Sequence, residues 1–108
     1  IDDMFKSEGN ALPTPNLIIT QVSKFYNVDE SVLRGTQKNK GTAEARQMAM
    51  YLIRKLTNLS LPDIGKECGR DHSTVLYAIR KVEVALKNGD STVQNNVRDI
   101  TANINSCL

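Results

Sequence analysis

Residues 60–75 read SLPDIGKECGRDHSTV, and this stretch is the part of the 108-residue chain that indicates its fold most clearly. Ser60, followed by a proline in the first turn and an acid three residues later, predicts the start of a helix. Gly69 supplies the left-handed turn that ends helices, and Asp71 is then expected to cap a second helix. Two helices joined by a three- to four-residue turn that contains glycine predict a helix-turn-helix.

Apolar residues at helical spacing predict further helices on both sides of this motif. A first helix is expected over residues 16–27, and a single turn over residues 29–33. Thr42 is expected to cap the strongest helix, residues 43–58, whose apolar residues form one broad stripe. A last helix through residues 93–104 closes the core, and no segment has the period of a strand. The sequence therefore predicts an all-α, compact bundle of about five to six helices.

The ends of the chain suggest one domain with a lead-in. Residues 1–15 are polar and are interrupted by glycine and proline, so we expect a linker or an extended segment there, with the helix-turn-helix domain over residues 16–108. No apolar run reaches the roughly 18 residues that a membrane span needs. The opening residues do not resemble a signal peptide, so we expect a cytoplasmic module that belongs to a larger protein.

Few residues are available for metal binding or catalysis. The chain has two cysteines and one histidine, so no metal site, disulfide or cofactor is expected, and both Cys68 and Cys107 are expected to be core residues. Consecutive helical residues point about 100° apart, so Asp71, His72 and Ser73 do not form a catalytic triad. We expect no catalytic residue and no enzymatic activity.

Basic residues are concentrated in the middle of the chain. Residues 34–87 hold eleven Lys and Arg against five acids, whereas the flanks hold three against seven. A polyanion would bind at such a segment, although a solvated basic face would have the same composition. Residues 34–41 are expected to form an exposed basic loop. Arg46, Met50 and Arg54 follow one another at four-residue spacing, so the two arginines are expected to lie on one row along a phosphate backbone.

The second helix of a helix-turn-helix enters the major groove, and its first residues meet base edges. In this chain those residues are Asp71, His72, Ser73 and Thr74, which are small or polar and suit hydrogen bonding to bases. Pro62, at the head of the first helix, can offer an apolar edge to a thymine methyl group. The alternative is that Asp71 is only a helix cap and that the next residues are only a polar first turn.

Three stretches of the sequence match a known family. They are IGKECGRDHSTV at residues 64–75, RQMAMYL at residues 46–52 and LTNLSLP at residues 56–62. Together they closely resemble the C-terminal DNA-binding domain, domain IV, of the DnaA family of bacterial chromosomal replication initiators. The resemblance covers about residues 15–86. It implies a Trp repressor-like helical bundle that binds double-stranded DNA at the DnaA box, a site of the TTATNCACA type at replication origins.

The resemblance also implies roles for individual residues. Major-groove base contacts fall to Asp71, His72, Ser73 and Thr74, with Pro62 beside a thymine methyl. Contacts to the DNA backbone fall to Arg46, Gln47, Arg54 and Arg70. The basic loop, with Lys38 and Lys40, would reach into the neighbouring minor groove. The isolated domain is expected to be a monomer, while the ATPase and the other domains of the initiator lie elsewhere in the parent protein.

The chain departs from the family pattern at three points. Many members have two glycines in the turn, whereas this chain has one after Cys68, so we expect a tighter turn and a less filled core there. Many members have threonine in place of Ser73, which removes a methyl contact. Arginine is common in place of Lys38, and an ammonium group does not fork as a guanidinium does.

Two other functions remain open from the residues alone. A helix-turn-helix transcriptional regulator would usually bind a palindrome as a dimer. A protein-docking bundle would instead use its basic middle to bind an acidic partner, with an affinity that does not depend on DNA sequence.

Overall fold

The computed structural model describes residues 13–35 and 40–107, and all the regular elements within these ranges are α-helices. The six helices are α1 Pro15–Tyr26, α2 Glu30–Arg34, α3 Lys40–Leu56, α4 Leu61–Cys68, α5 His72–Lys87 and α6 Ser91–Ser106. The predicted all-α bundle of five to six helices is confirmed. Of the predicted lead-in, residues 1–12 lie outside the described residues, and Pro15 is already the first residue of α1.

Helix α3 is the central element of the bundle. It contacts all five other helices. The apolar stripe that the sequence predicts on this helix is buried, with only Leu56 half-buried. Met50 and Tyr51 are buried as well, so the middle of α3 is enclosed by the helices that pack around it, whereas its two ends carry exposed residues.

The caps predicted for the motif helices are confirmed. The Ser60 hydroxyl accepts a hydrogen bond from the backbone N–H of Asp63 at 3.3 Å, and the Asp71 carboxylate accepts one from the backbone N–H of Thr74 at 2.9 Å. Gly69 ends α4 in the left-handed conformation with φ of 66°. Side-chain oxygens thus satisfy N–H groups that a helix start leaves without an intrahelical partner.

The cap predicted at Thr42 is wrong. Helix α3 begins two residues earlier, at Lys40, and Thr42 lies inside its first turn with 2% of its surface exposed. An N-cap residue stands at the exposed end of a helix, whereas Thr42 is packed into the bundle. Tertiary packing therefore outweighs the local preference of threonine for a cap.

Gly65 allows α4 to lie directly against the turn that follows it. Its carbonyl accepts a hydrogen bond from the backbone N–H of Arg70 at 2.8 Å. A Cβ atom on residue 65 would lie 2.3 Å from the Arg70 carbonyl oxygen, which is far inside van der Waals contact. The close return of the chain in the helix-turn-helix is therefore possible only with glycine at this position.

The two cysteines have different environments. Cys68 is buried beside the turn, as predicted, and burial raises the pKa of its thiol. Cys107 is exposed at the C-terminal end of α6, so the prediction that it is a core residue is wrong. In the part of the chain that the structure describes, no helix is both long and apolar enough to cross a membrane, and no group of three or more His, Cys, Asp or Glu side chains is placed to hold a metal ion.

Candidate nucleic-acid interface

The first turn of α5 is turned toward solvent. Asp71, His72, Ser73 and Thr74 are all exposed, whereas the next residue, Val75, is fully buried. Apolar spacing in the sequence predicts a buried face for α5 that consists of Val75, Ala78, Ile79, Val82 and Leu86. The first four are buried and Leu86 is half-buried, and this helix packs on α3 and α4. The core thus fixes the helix by one face and leaves its N-terminal end available for a ligand.

Asp71 caps α5 while it remains exposed. Hydrogen bonds from the Thr74 hydroxyl and backbone N–H lower the pKa of the Asp71 carboxyl, and His72 lowers it further. The group is therefore ionised at neutral pH. A carboxylate has two oxygens with about four acceptor positions, so the cap leaves acceptor capacity for another donor, such as a cytosine amino group. Capping and base recognition are compatible in this geometry.

Pro62 occupies the second position of α4 and is exposed. Its ring adds no unsatisfied N–H there, because the first N–H groups of a helix have no intrahelical partner in any case. The exposed apolar ring lies at the N-terminal end of the first motif helix, which in a helix-turn-helix crosses the DNA backbone.

Three arginines of the basic middle segment donate guanidinium N–H groups to main-chain carbonyls, and one of them, Arg46, is buried. We use the name arginine junction for Arg34, Arg46, Arg70 and the Gly35 carbonyl. Two of these arginines, Arg46 and Arg70, donate to that carbonyl. The Arg46 Nε donates to the Leu33 carbonyl at 2.9 Å, and its Nη2 lies 3.1 Å from the Gly35 carbonyl oxygen. The Arg70 Nη2 donates to the same Gly35 carbonyl. The end of α2 is thereby joined to α3 and to the helix-turn-helix turn.

Arg34 connects three helices at this junction. Its guanidinium donates to the Glu67 carbonyl of α4 and to the Asn16 side-chain oxygen of α1, both at 2.7 Å. The Glu67 carboxylate lies 3.7 Å from the same guanidinium. The prediction that Arg34 lies in an exposed loop is wrong, because Arg34 is the last residue of α2. Its position next to Gly35 is the one local signal for this, since cations are favoured in the last turn of a helix, near its free carbonyls.

The predicted exposed row of Arg46, Met50 and Arg54 is wrong. Arg46 is 6% exposed and Met50 is 1% exposed, and only Arg54 reaches the surface. Burial lowers the pKa of Arg46, with a second contribution from the positive charge of Arg70, but a guanidinium remains protonated in proteins. Arg46 is therefore a charged group held inside the bundle by carbonyl oxygens.

The other predicted backbone contacts lie at or near the surface. Arg54 is exposed, and its Nη1 donates to the Leu59 carbonyl at 2.9 Å, just before the cap of α4. Gln47 is half-buried on α3, and Arg70 is half-buried in the turn. Lys40 is the first residue of α3 rather than a loop residue. Lys38 lies outside the described residues, so its predicted minor-groove contact stays a prediction.

A helical bundle with a short, glycine-containing turn and an exposed polar end on its second motif helix is a helix-turn-helix DNA-binding domain. The family model described as the bacterial DnaA protein helix-turn-helix matches residues 15–82. The chain belongs to this family.

Relatives in several bacteria agree with this assignment. The chain is 38% identical over 105 residues to a chromosomal replication initiator protein DnaA of Leifsonia xyli, covering 96% of this chain and 22% of that protein. It is 45% identical over 78 residues to that of Caldanaerobacter subterraneus, covering 72% of this chain and 18% of the relative. The chain therefore spans about a fifth of the length of these relatives.

Solved structures share the fold. A crystal structure of a DNA replication initiation factor matches with a TM-score of 0.71 and 35% identity, over 83% of this chain and 29% of the other. The structure of AMPPCP-bound DnaA from Aquifex aeolicus matches with a TM-score of 0.63 and 37% identity, over 83% of this chain and 28% of the other. The likeness again covers a limited part of a longer protein.

Proposed function

We propose that this domain reads the DnaA box in double-stranded DNA as the DNA-recognition module of a replication initiator, with α5 in the major groove. The observation that carries the proposal is the exposed sequence from Asp71 to Thr74 at the start of the second motif helix, in a chain that belongs to the DnaA family. Polar side chains at this position are what base recognition requires.

Each base-reading residue has a chemical role. Asp71 accepts from a cytosine amino group, and His72 can donate or accept. Ser73 and Thr74 hydrogen-bond to either partner, and Pro62 contacts a thymine methyl. The Asp71 cap supports this role, because it fixes the backbone of the first turn and so holds the neighbouring side chains in place.

Arg54 and Gln47 supply contacts to the DNA backbone. Arg70 is half-buried, so it can contact the backbone as well while one of its N–H groups donates to the Gly35 carbonyl. Arg54 is exposed at the end of α3, and its hydrogen bond to the Leu59 carbonyl holds it beside the start of α4. Arg46 has a different role from the one that the family resemblance implies. Its inward hydrogen bonds make it a positioning residue that holds the end of α2 against the bundle.

The arginine junction also fixes the chain just before Lys38. The carbonyl oxygen of Gly35, the last described residue before Lys38, accepts hydrogen bonds from both Arg46 and Arg70. We propose that Lys38 and Lys40 approach the minor groove beside the site read by α5, where A·T-rich narrowing strengthens the negative potential. The arginine junction would then set the distance between the major-groove contacts of α5 and the minor-groove contacts of Lys38 and Lys40.

The remaining functions of the initiator belong to other parts of the parent protein. The chain spans about a fifth of its relatives, so an ATPase and the assembly of the initiator are assigned to the rest. The domain itself acts as a monomer without a cofactor, in the bacterial cytoplasm, and its partners are duplex DNA and the other domains of the parent chain.

Hydroxyl-radical footprinting of the chain on a long duplex with one TTATCCACA box tests the proposal. We expect one asymmetric protected region over the box, because a single module covers about one turn of DNA. Symmetric protection of two half-sites one helical turn apart would instead indicate a dimeric transcriptional regulator. The absence of any local protection would refute base reading and favour a basic surface that binds an acidic protein.

A further inference from the structure

The outward face of α5 continues beyond its first turn. At about 100° per residue, four side chains fall within about 60° of one another on the face opposite the buried one. This row consists of Ser73, Tyr77, Arg80 and Val84, all of which are exposed. If the first turn of α5 contacts a ligand surface, the residues that follow Ser73 in this row face the same surface, further along the helix axis.

Tyr77 is the most exposed large hydrophobic side chain in the described ranges. Its exposed fraction is 64%, compared with 55% for Val84 and 37% for Phe25. A phenol ring in this position offers apolar area with little conformational entropy to lose on binding, and it has a hydroxyl group at its tip. The ring is therefore suited to a ligand that has both apolar and polar groups.

The surroundings of Tyr77 favour DNA over an apolar partner. Tyr77 lines a shallow hollow together with Arg80, Lys81 and Val84, so two cations border the ring. Four residues along a helix correspond to about 6 Å, which is close to two base-pair steps of about 3.4 Å each. A ring at this distance from Ser73 meets the same groove, with the basic side chains at the phosphate edge.

We propose that Tyr77 is a further base-reading residue, which contacts the methyl group of a thymine about two base pairs beyond the position that Ser73 meets. This inference rests on the proposed function. An apolar contact with the thymine methyl is one of the few ways in which an uncharged side chain can distinguish bases in the major groove. Tyr77 would thus extend the base-reading surface from one turn of α5 to two.

The test uses the full chain and a duplex with one box, in which each thymine of either strand is replaced in turn by deoxyuridine, which lacks the methyl group. Loss of one buried methyl should weaken wild-type binding about fourfold at the thymine that Tyr77 contacts. Tyr77→Ala should bind the unmodified duplex about tenfold more weakly and should be insensitive to that replacement.

Two further variants give the comparison its controls. Tyr77→Phe keeps the ring and should keep the sensitivity to deoxyuridine at the same position. Val84→Ala shortens an exposed apolar side chain two turns further along the same row and should bind as the wild type does. Circular dichroism should show an unchanged fold for all three variants, since both side chains are exposed.

Several results would overturn the proposal. Tyr77→Ala with wild-type affinity, or with the wild-type response to every deoxyuridine, excludes a methyl contact. An equal loss of affinity for box and scrambled duplexes would indicate a phosphate contact instead. The preference of the wild type for the box over the scrambled duplex tests the proposed function separately. If the wild type has this preference and Tyr77→Ala binds the box with wild-type affinity, only the role of Tyr77 is refuted.

Discussion

The first turn of α5 and the arginine junction meet at the helix-turn-helix turn, which contains Arg70, but they differ in the exposure of their polar groups. Residues 71–74 are all exposed, whereas Arg34, Arg46 and Arg70 donate to main-chain carbonyls within the bundle. The number of basic residues in a segment therefore does not give the number of charges that its surface presents to a ligand. Part of the basic charge holds the fold together, and the part that can bind DNA has to be found residue by residue.

The largest expected effect concerns the helix-turn-helix turn itself, which joins α4 to α5. Gly65→Ala should lower the free energy of unfolding by about 3 kcal/mol, because the new methyl group would overlap the Arg70 carbonyl and push the turn away from α4. Urea denaturation followed by circular dichroism measures this loss.

Gly89→Ala is the matched control. Gly89 has φ of 81°, and a methyl group on it would meet no atom within 4 Å, so only backbone strain of about 1 kcal/mol is expected. Equal losses for the two variants would show that the close approach at Gly65 is not important.

The interior role of Arg46 predicts a loss of stability without a loss of phosphate contact. Arg46→Met removes the donor for the carbonyls of Val32, Leu33 and Gly35, and it should lower the free energy of unfolding by about 2 kcal/mol. In conditions where the variant is folded, the slope of log affinity against log salt concentration should equal that of the wild type. A variant with wild-type stability and a reduced salt slope would instead support the contact between Arg46 and the DNA backbone that the sequence predicted.

Arg54 is the exterior counterpart of Arg46 on the same helix. Arg54→Met removes one exposed hydrogen bond, to the Leu59 carbonyl, so the free energy of unfolding should change by no more than about 1 kcal/mol. The salt slope should fall by about one, and affinity should decrease for box and scrambled duplexes alike. A salt slope that does not change would exclude Arg54 from the phosphate contacts.

The smallest expected effect concerns the charge of the α5 cap. The folded-state pKa of Asp71 is lowered, mainly by hydrogen bonds from Thr74, so its stabilising contribution is present above the unfolded pKa of about 3.9 and is lost as the pH falls through the folded value. Asp71→Asn keeps a cap but removes the charge. Its Tm should be lower than that of the wild type by roughly 2 °C at pH 6, and the difference should shrink as the pH falls below about 3.9. A difference that does not depend on pH would contradict the ionised cap.

Features that depend on residues close together in the chain could be predicted from the sequence. The caps at Ser60 and Asp71 and the left-handed Gly69 were predicted because each depends on residues within one turn. The buried face of α5 followed from apolar spacing for the same reason. The exposure of residues 71–74 agrees with that spacing.

Features that depend on distant residues were not predicted. The inward turn of Arg46 depends on carbonyls eleven to fourteen residues away, and that of Arg34 depends on α1 and α4. The start of α3 at Lys40, which leaves Thr42 buried inside the helix, is likewise not indicated by the residues around Thr42. No local pattern distinguishes an arginine that binds phosphate from one that binds a main-chain carbonyl.

The most direct test of the central claim is a fluorescence-anisotropy titration of the wild type and His72→Ala with a TTATCCACA duplex and a scrambled duplex, at two salt concentrations. Specific binding typically exceeds non-specific binding by at least about 10³-fold, so we expect such a gap for the wild type. The variant should reduce the gap by about five- to 150-fold, which corresponds to roughly 1–3 kcal/mol for one base contact. Equal affinity of the wild type for both duplexes, or an unchanged gap in His72→Ala, would contradict base reading by the first turn of α5.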